Sequence, residues 1–247
     1  DVTDPVSPRY VTTIADGKGG IRTVDYSPNG QMLATGGADG TIRLYDMTDP
    51  GQPRLIAPLT GHTDLVYGVA FNADATRLAS VSQDNSAIVW DIKDPRNPRP
   101  TKVFERPQTP LYAVGFSPAG LMVIAGFDQT VQVWDVHDLT RPHVVATLTG
   151  HTDHINALAF SPDGKTLATA GADATVRLWN LTDPYHPTPL GMVTDHAGPI
   201  STVAFSADGR TIASASDDHT ARLWDVTDPT HINELATLSG HSNRVWT

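Results

Sequence analysis

An aromatic residue followed by Asp or Asn recurs along the chain at a nearly fixed interval. The pairs are Tyr45-Asp46, Trp90-Asp91, Trp134-Asp135, Trp179-Asn180 and Trp224-Asp225, so the successive spacings are 45, 44, 45 and 45 residues. Chance does not place five such pairs in register, and a period of this length demands one structural unit copied five times. Each copy carries the same internal marks. An apolar run ends on Tyr26, Phe71, Phe116, Phe160 and Phe205, and in four of the copies turn residues follow at once, as in "SPNG" (27–30) and "SPDG" (161–164). A second turn falls at Asp39, Asp84, Asp128, Asp173 and Asp218, six residues before each Tyr or Trp. The segments after it, such as "TVRLW" (175–179), alternate apolar with polar residues and read as strands. A fourth strand follows loops such as "TDPGQP" (48–53), whose prolines end the ladder. Four short antiparallel strands per copy, with no helical periodicity, predict an all-β chain.

A twisted four-stranded sheet buries both faces only between two others, so copies arranged radially solve a problem that one copy cannot. The first strand of each copy supports this. In "INALAF" (155–160), Ile155, Ala157 and Ala159 alternate with Asn156, Leu158 and Phe160, and small side chains fit where sheets converge on an axis. With Gly61-His62, Gly150-His151 and Gly240-His241 beside the Trp-Asp pairs, the chain resembles the WD-repeat β-propellers over essentially its whole length. The resemblance implies a propeller of four-stranded antiparallel blades and a single repeat region over residues 1–247. The five complete blades fall at about 21–59, 65–104, 110–148, 154–193 and 199–238. Residues 9–14 ("RYVTTI") and 243–247 ("NRVWT") read as orphan strands, outer and inner, of a further blade. Six repeats would need about 270 residues and the family's usual seven about 315. The expectation is therefore a piece of a six- or seven-bladed propeller, seven favoured, whose apolar end faces promote self-association.

Composition narrows the function classes. A formal net charge of −10 disfavours nucleic-acid and anionic-membrane partners, and the Asp residues sit beside Gly, Pro, Ser and Thr, where they serve turns. There is no cysteine, which excludes thiolate chemistry and Cys-bound metals. No apolar run approaches membrane-spanning length and no signal peptide opens the chain, so the expected location is cytoplasmic.

"GHTDHI" (150–155) packs two histidines and an aspartate together, as a metal site or catalytic base would. Phase separates them. His151 shares its position with His62 and His196. The resemblance implies a hydrogen-bonded tetrad within a blade, formed by His62, Ser80, Asp84 and Trp90; by His151, Thr169, Asp173 and Trp179; and by His196, Ser214, Asp218 and Trp224. Ser, His and Asp together suggest a hydrolase triad, but three copies in one chain favour structure. Blade 1 has Asp16-Gly17 for Gly-His and Tyr45 for Trp, and blade 3 has Arg106-Pro107 and Ile124, so neither is expected to form the network.

His154 has Gly20, Leu65, Pro110, Pro199 and Arg244 as equivalents, so structure does not dictate that position. It lies where the inner strand begins, on the face where the family binds peptides around the channel mouth. Arg22, Leu65, Tyr67, Tyr112, Phe127, His154, Asn156, Asp217, Arg244 and Trp246 are the expected partner-binding residues, an aromatic ring with two guanidinium groups. "SDDHT" (216–220) offers too few free ligands for a metal, and "DGKGG" (16–20) lacks the spacing of a phosphate loop. The expectation is a non-catalytic interaction scaffold with no cofactor. By its Ala- and Thr-rich repeats it is similar to the propeller regions of bacterial signalling proteins. An enzyme using the central funnel and a purely architectural segment are the alternatives.

Overall fold

In the computed structural model, described here for residues 1, 3–4, 6–15, 19–105 and 109–246, the chain is all β. The first sheet is β1 (Ile21–Tyr26), β2 (Met32–Gly37), β3 (Ile42–Asp46) and β4 (Arg54–Leu59). The second is β5 (Val66–Phe71), β6 (Arg77–Ser82), β7 (Ser86–Asp91) and β8 (Arg99–Glu105). The third is β9 (Leu111–Phe116), β10 (Met122–Gly126), β11 (Val131–Asp135) and β12 (His143–Leu148). The fourth is β13 (Ile155–Phe160), β14 (Thr166–Gly171), β15 (Val176–Asn180) and β16 (Thr188–Val193). The fifth is β17 (Ile200–Phe205), β18 (Thr211–Ser216), β19 (Ala221–Asp225) and β20 (Asn233–Leu238). Each sheet is an antiparallel meander in chain order, and the innermost strands β1, β5, β9, β13 and β17 pack on one another in sequence. These are propeller blades.

Turn chemistry fixes the meanders. In the β1–β2 turn the Ser27 hydroxyl accepts the Met32 N–H at 2.8 Å, and Gly30 takes a φ of +69° that most side chains resist. After each second-turn Asp the chain is again left-handed, at Gly40, Asn85, Gln129, Ala174 and His219. Beyond the third strand an Asx turn recurs: Asp46 and Asp225 each accept an N–H at 2.9 Å, from Thr48 and Thr227. The Thr48 N–H holds the Asp46 carboxyl below its usual range. Much of the chain's acidity is thus turn structure.

The core lies between blades. Leu44 and Leu59 of the first sheet pack with Val69, Leu78 and Trp90 of the second, and Leu178 and Val193 of the fourth pack with Val203, Ile212 and Trp224 of the fifth. Burying one such side chain stabilises the fold by about 1.5–3 kcal/mol. The outer faces of the first and fifth sheets lack that cover. Val24 and Tyr26 are 57% and 53% exposed, whereas their second-blade counterparts Val69 and Phe71 are 6% and 7%. Leu238 is 51% exposed against 2% for Leu59. The orphan segments differ from the expectation. Residues 9–14 and 243–246 carry no ladder; Thr247 lies outside the described residues. Ile14 instead packs on Leu33, Tyr45 and Met47, and the Val245 N–H bonds the Ser216 carbonyl at 3.1 Å.

One polar group sits in an inter-blade contact. Asp25 occupies the phase filled by Ala70, Gly115, Ala159 and Ala204 in the other inner strands, and its Oδ2 accepts the Phe71 N–H at 2.8 Å. Burial pushes its carboxyl up to about 6, against the hydrogen bonds from Phe71 and Tyr26. A folded pKa above the unfolded value of 3.8 gives a contribution fully present below pH 3.8 and lost as pH rises through about 6. Asp25→Asn, which keeps an acceptor for Phe71, is therefore expected to gain stability of the order of 2 kcal/mol at pH 7 and little near pH 4. Urea unfolding of both proteins at the two pH values checks this, and the difference between them cancels other titrating groups such as His62. A gap independent of pH contradicts it.

Candidate interaction face at the channel mouth

Every inner strand carries a β-bulge near its first residue. The register slips between Ile21 and Thr23, Val66 and Gly68, Leu111 and Ala113, Ile155 and Ala157, and Ile200 and Thr202. The extra residues are Arg22, Tyr67, Tyr112, Asn156 and Ser201. A bulge re-aims the side chain it inserts, and all five line the channel, together with Trp246. The strict alternation read in "INALAF" therefore breaks at Asn156, which the bulge places outside the pleat.

The rim around them is tied down by one repeated backbone bond. The N–H groups of Ala38, Gln83, Phe127, Ala172 and Asp217 reach the carbonyls of Gly20, Leu65, Pro110, His154 and Pro199 at 2.8–3.0 Å. In the third blade this approach requires Gly126, since a Cβ there would lie 2.2 Å from the Pro110 oxygen.

The resulting cavity, of about 610 Å³, is lined by Arg22, Tyr67, Tyr112, His154, Asp217, Arg244 and Trp246 among others. On its second-to-fourth-blade side the rings touch in series. Tyr67 and Tyr112 meet edge-on at 5.0 Å, Tyr112 and His154 at 5.5 Å, and Phe127 stacks on His154 at 6.3 Å. The Tyr67 hydroxyl is anchored by donating to Gln83 Oε1 at 2.9 Å, and His154 Nδ1 lies 2.9 Å from Asp153. On the other side Arg244 reaches Asp217 at 3.3 Å and lies over the Trp246 ring at 6.0 Å. Phe127 and Leu65 do not line the cavity: Phe127 stacks behind His154 with its backbone held by the Pro110 bond, and the Leu65 carbonyl takes the Gln83 N–H. Asn156 lines it, but its amide donates to the Ile200 carbonyl at 2.9 Å, which makes it an inter-blade clamp.

The histidines in phase with His151 do something else. His62, His151 and His196 are buried, with Nδ1 2.8–2.9 Å from Asp84, Asp173 and Asp218 and Nε2 2.7–2.8 Å from Ser80, Thr169 and Ser214. The indole N–H groups of Trp90, Trp179 and Trp224 donate to those same hydroxyls at 2.9 Å. Each hydroxyl accepts the indole N–H and donates its own O–H to Nε2, so the imidazole carries its proton on Nδ1 and donates that N–H to the carboxylate. A hydroxyl held in this way at 0–1% exposure has no access to a substrate. Burial alone would raise the Asp173 carboxyl, but hydrogen bonds from His151 and the Thr152 N–H hold it far below its usual range; Asp218 is held likewise by Thr220 and His196. Burial pulls His62 down.

Blades 1 and 3 show no such tetrad among the described residues and carry other contacts in its place. In blade 1, Arg43 forks onto Asp39 with its Nη2 2.7 Å from Oδ2, so a guanidinium serves the turn carboxylate. In blade 3, the Trp134 indole donates to Gln132 Oε1 at 3.2 Å, beside the fully buried Ile124. Gln132 stands two residues before Trp134, where blades 1, 4 and 5 carry Arg43, Arg177 and Arg222, and that departure was the available sequence signal. Asp16-Gly17 and Arg106-Pro107 lie outside the described residues.

Five four-stranded meanders, three of them with a Trp–hydroxyl–His–Asp network, define a WD-type propeller. The chain belongs to the WD-repeat family: the model for the WD domain, G-beta repeat, matches residues 9–46, 53–91, 98–135, 142–180 and 187–225. The last four matches each start on the outer strand of the preceding blade, so the family repeat and the sheet are offset. Coronin-7 of Rattus norvegicus is 41% identical over 61 residues, covering 24% of this chain and 6% of that protein. A subunit of chromatin assembly factor 1 from Schizosaccharomyces pombe is 34% identical over 67 residues, covering 25% of this chain and 13% of that protein. The chain thus matches only a small part of either relative.

Proposed function

We propose that this chain is the non-catalytic recognition part of a larger signalling protein and binds a protein or peptide segment at the channel mouth. The observation that carries the reading is the set of five bulges. They aim chemically different side chains at one cavity, while the tetrad positions beneath them repeat. A repeated scaffold under a varied rim is what a recognition surface needs. The family supports a protein-interaction scaffold, and the S. pombe relative is by name one component of an assembly factor. Against the funnel-enzyme reading stands Asp217, the one carboxylate expected at the mouth, which is paired with Arg244.

The test is capture of a partner by the immobilised chain, compared with the Tyr67→Ala/Tyr112→Ala/Phe127→Ala triple. The triple is expected to fold and to lose the partner. Retention of the partner by a folded triple removes the reading.

A further inference from the structure

The mouth carries a charge that nothing in it answers. Arg22 is exposed, lines both the mouth cavity and the channel below it, and has no hydrogen-bond acceptor or carboxylate partner among the described residues. Other arginines are engaged: Arg43 on Asp39, Arg222 on Glu234, and Arg77 on the Val136 carbonyl. Arg22 is also the one charged residue among the five that the bulges aim inward, the others being Tyr67, Tyr112, Asn156 and Ser201. The second guanidinium of the lining, Arg244, is already matched by Asp217 at 3.3 Å. The rim acids Asp64 and Asp153 turn an Oδ1 to the N–H groups of Leu65 and His154 and lie outside the cavity lining. The lining therefore holds one unmatched positive charge in a chain whose formal net charge is −10. Local excess of this kind selects the sign of a partner's contacting group, and a guanidinium fork matches a carboxylate. The aromatic series from Tyr67 to His154 begins on the adjacent blade, lines the same cavity and offers its rings to an apolar or proline side chain.

Resting on the reading that the mouth binds a protein segment, we propose that the segment is an acidic peptide: a carboxylate side chain pairs with Arg22 while a neighbouring apolar side chain lies on Tyr112 and His154. The partner would be an extended stretch in which Asp or Glu adjoins Pro or an aromatic residue.

The probes are three terminally blocked octapeptides sharing a Pro-Phe frame and carrying two central Glu, Gln or Lys residues, titrated calorimetrically into the full chain. The Glu peptide is expected to bind 1:1 and about 10-fold or more tighter than the other two. That advantage should vanish in Arg22→Gln and at about 0.5 M salt. It should survive in Arg210→Gln, an exposed arginine on the β17–β18 turn at the opposite face. A Lys peptide that binds as well as the Glu peptide, and is lost in Tyr112→Ala, overturns the charge assignment and leaves the mouth as a binding site. An Arg22→Gln protein with the full Glu preference also overturns the assignment. Binding of none of the three overturns the mouth itself as a peptide site.

Discussion

Asp173→Ala is expected to destabilise the protein by about 3–5 kcal/mol, the range seen when one partner of a buried hydrogen-bonded pair is removed. The carboxylate serves four donors at once, one of them the Thr175 hydroxyl 2.9 Å from Oδ1. His151 Nδ1 is 2.8 Å from Oδ2, the Thr152 N–H 3.0 Å from Oδ2, and the Thr175 N–H 3.1 Å from Oδ1. Its loss leaves the buried His151 Nδ1–H without its carboxylate acceptor, and the Thr169–Trp179 chain loses the group that fixes the imidazole tautomer. Equilibrium denaturation checks the size, and its pH dependence checks the cause. The folded carboxyl lies well below the unfolded value of 3.8, so its contribution is present above pH 3.8 and is lost as pH falls below it. The gap between wild type and Asp173→Ala should hold from pH 7 down to about 4 and close at lower pH. A loss under 1 kcal/mol, or a gap that persists unchanged into acid, would show that the network does not hold the blade.

The second large effect concerns the rim. The Tyr67→Ala/Tyr112→Ala/Phe127→Ala triple removes three of the four rings in the series, and each ring at the centre of an interface commonly contributes 2 kcal/mol or more. Partner affinity should fall by about 100-fold or more. Folding should survive, because Tyr67 and Tyr112 are only half-buried, Phe127 is exposed, and none of the three belongs to a core cluster between blades. The cost to stability is that of two edge-on contacts and one stack, about 1–3 kcal/mol in all. Thermal unfolding beside the binding measurement separates the two effects.

What the sequence disclosed follows from what repeats. A Trp-Asp pair every 45 residues, Asp six positions before it and Gly-His ahead of the inner strand made the sheets and the buried His151 legible, because each residue could be read against its copies. Phase also put Arg22, Tyr67, Tyr112 and Asn156 at one position. What phase could not show was the bulge. A one-residue slip leaves no mark in a period of two when small and large residues mix, as they do in "INALAF". Nor could phase separate Asn156, held by the Ile200 carbonyl, from Tyr112, which faces the cavity, since that depends on what the next blade offers. Arg43 and Gln132 were also missed. Arg43 shares its phase with Arg177 and Arg222, so nothing set it apart, and the Gln132–Trp134 bond is visible only when side chains close in space are seen together. Asp25, the single acid in a phase of Ala and Gly, was not read from the sequence, because its meaning comes from the Phe71 N–H across the blade boundary.

Phe127 and Tyr185 offer a direct comparison of the two faces, because both are 56% exposed. Phe127 lies at the turn before β11, on the mouth side, and Tyr185 in the loop after β15, at the opposite ends of the strands. A photo-crosslinking phenylalanine analogue placed at one or the other position, with the bound partner present, reports which face is engaged. Crosslinking from position 127 and none from 185 is the predicted result. Crosslinking from 185 alone, or equally from both, would contradict recognition at the channel mouth.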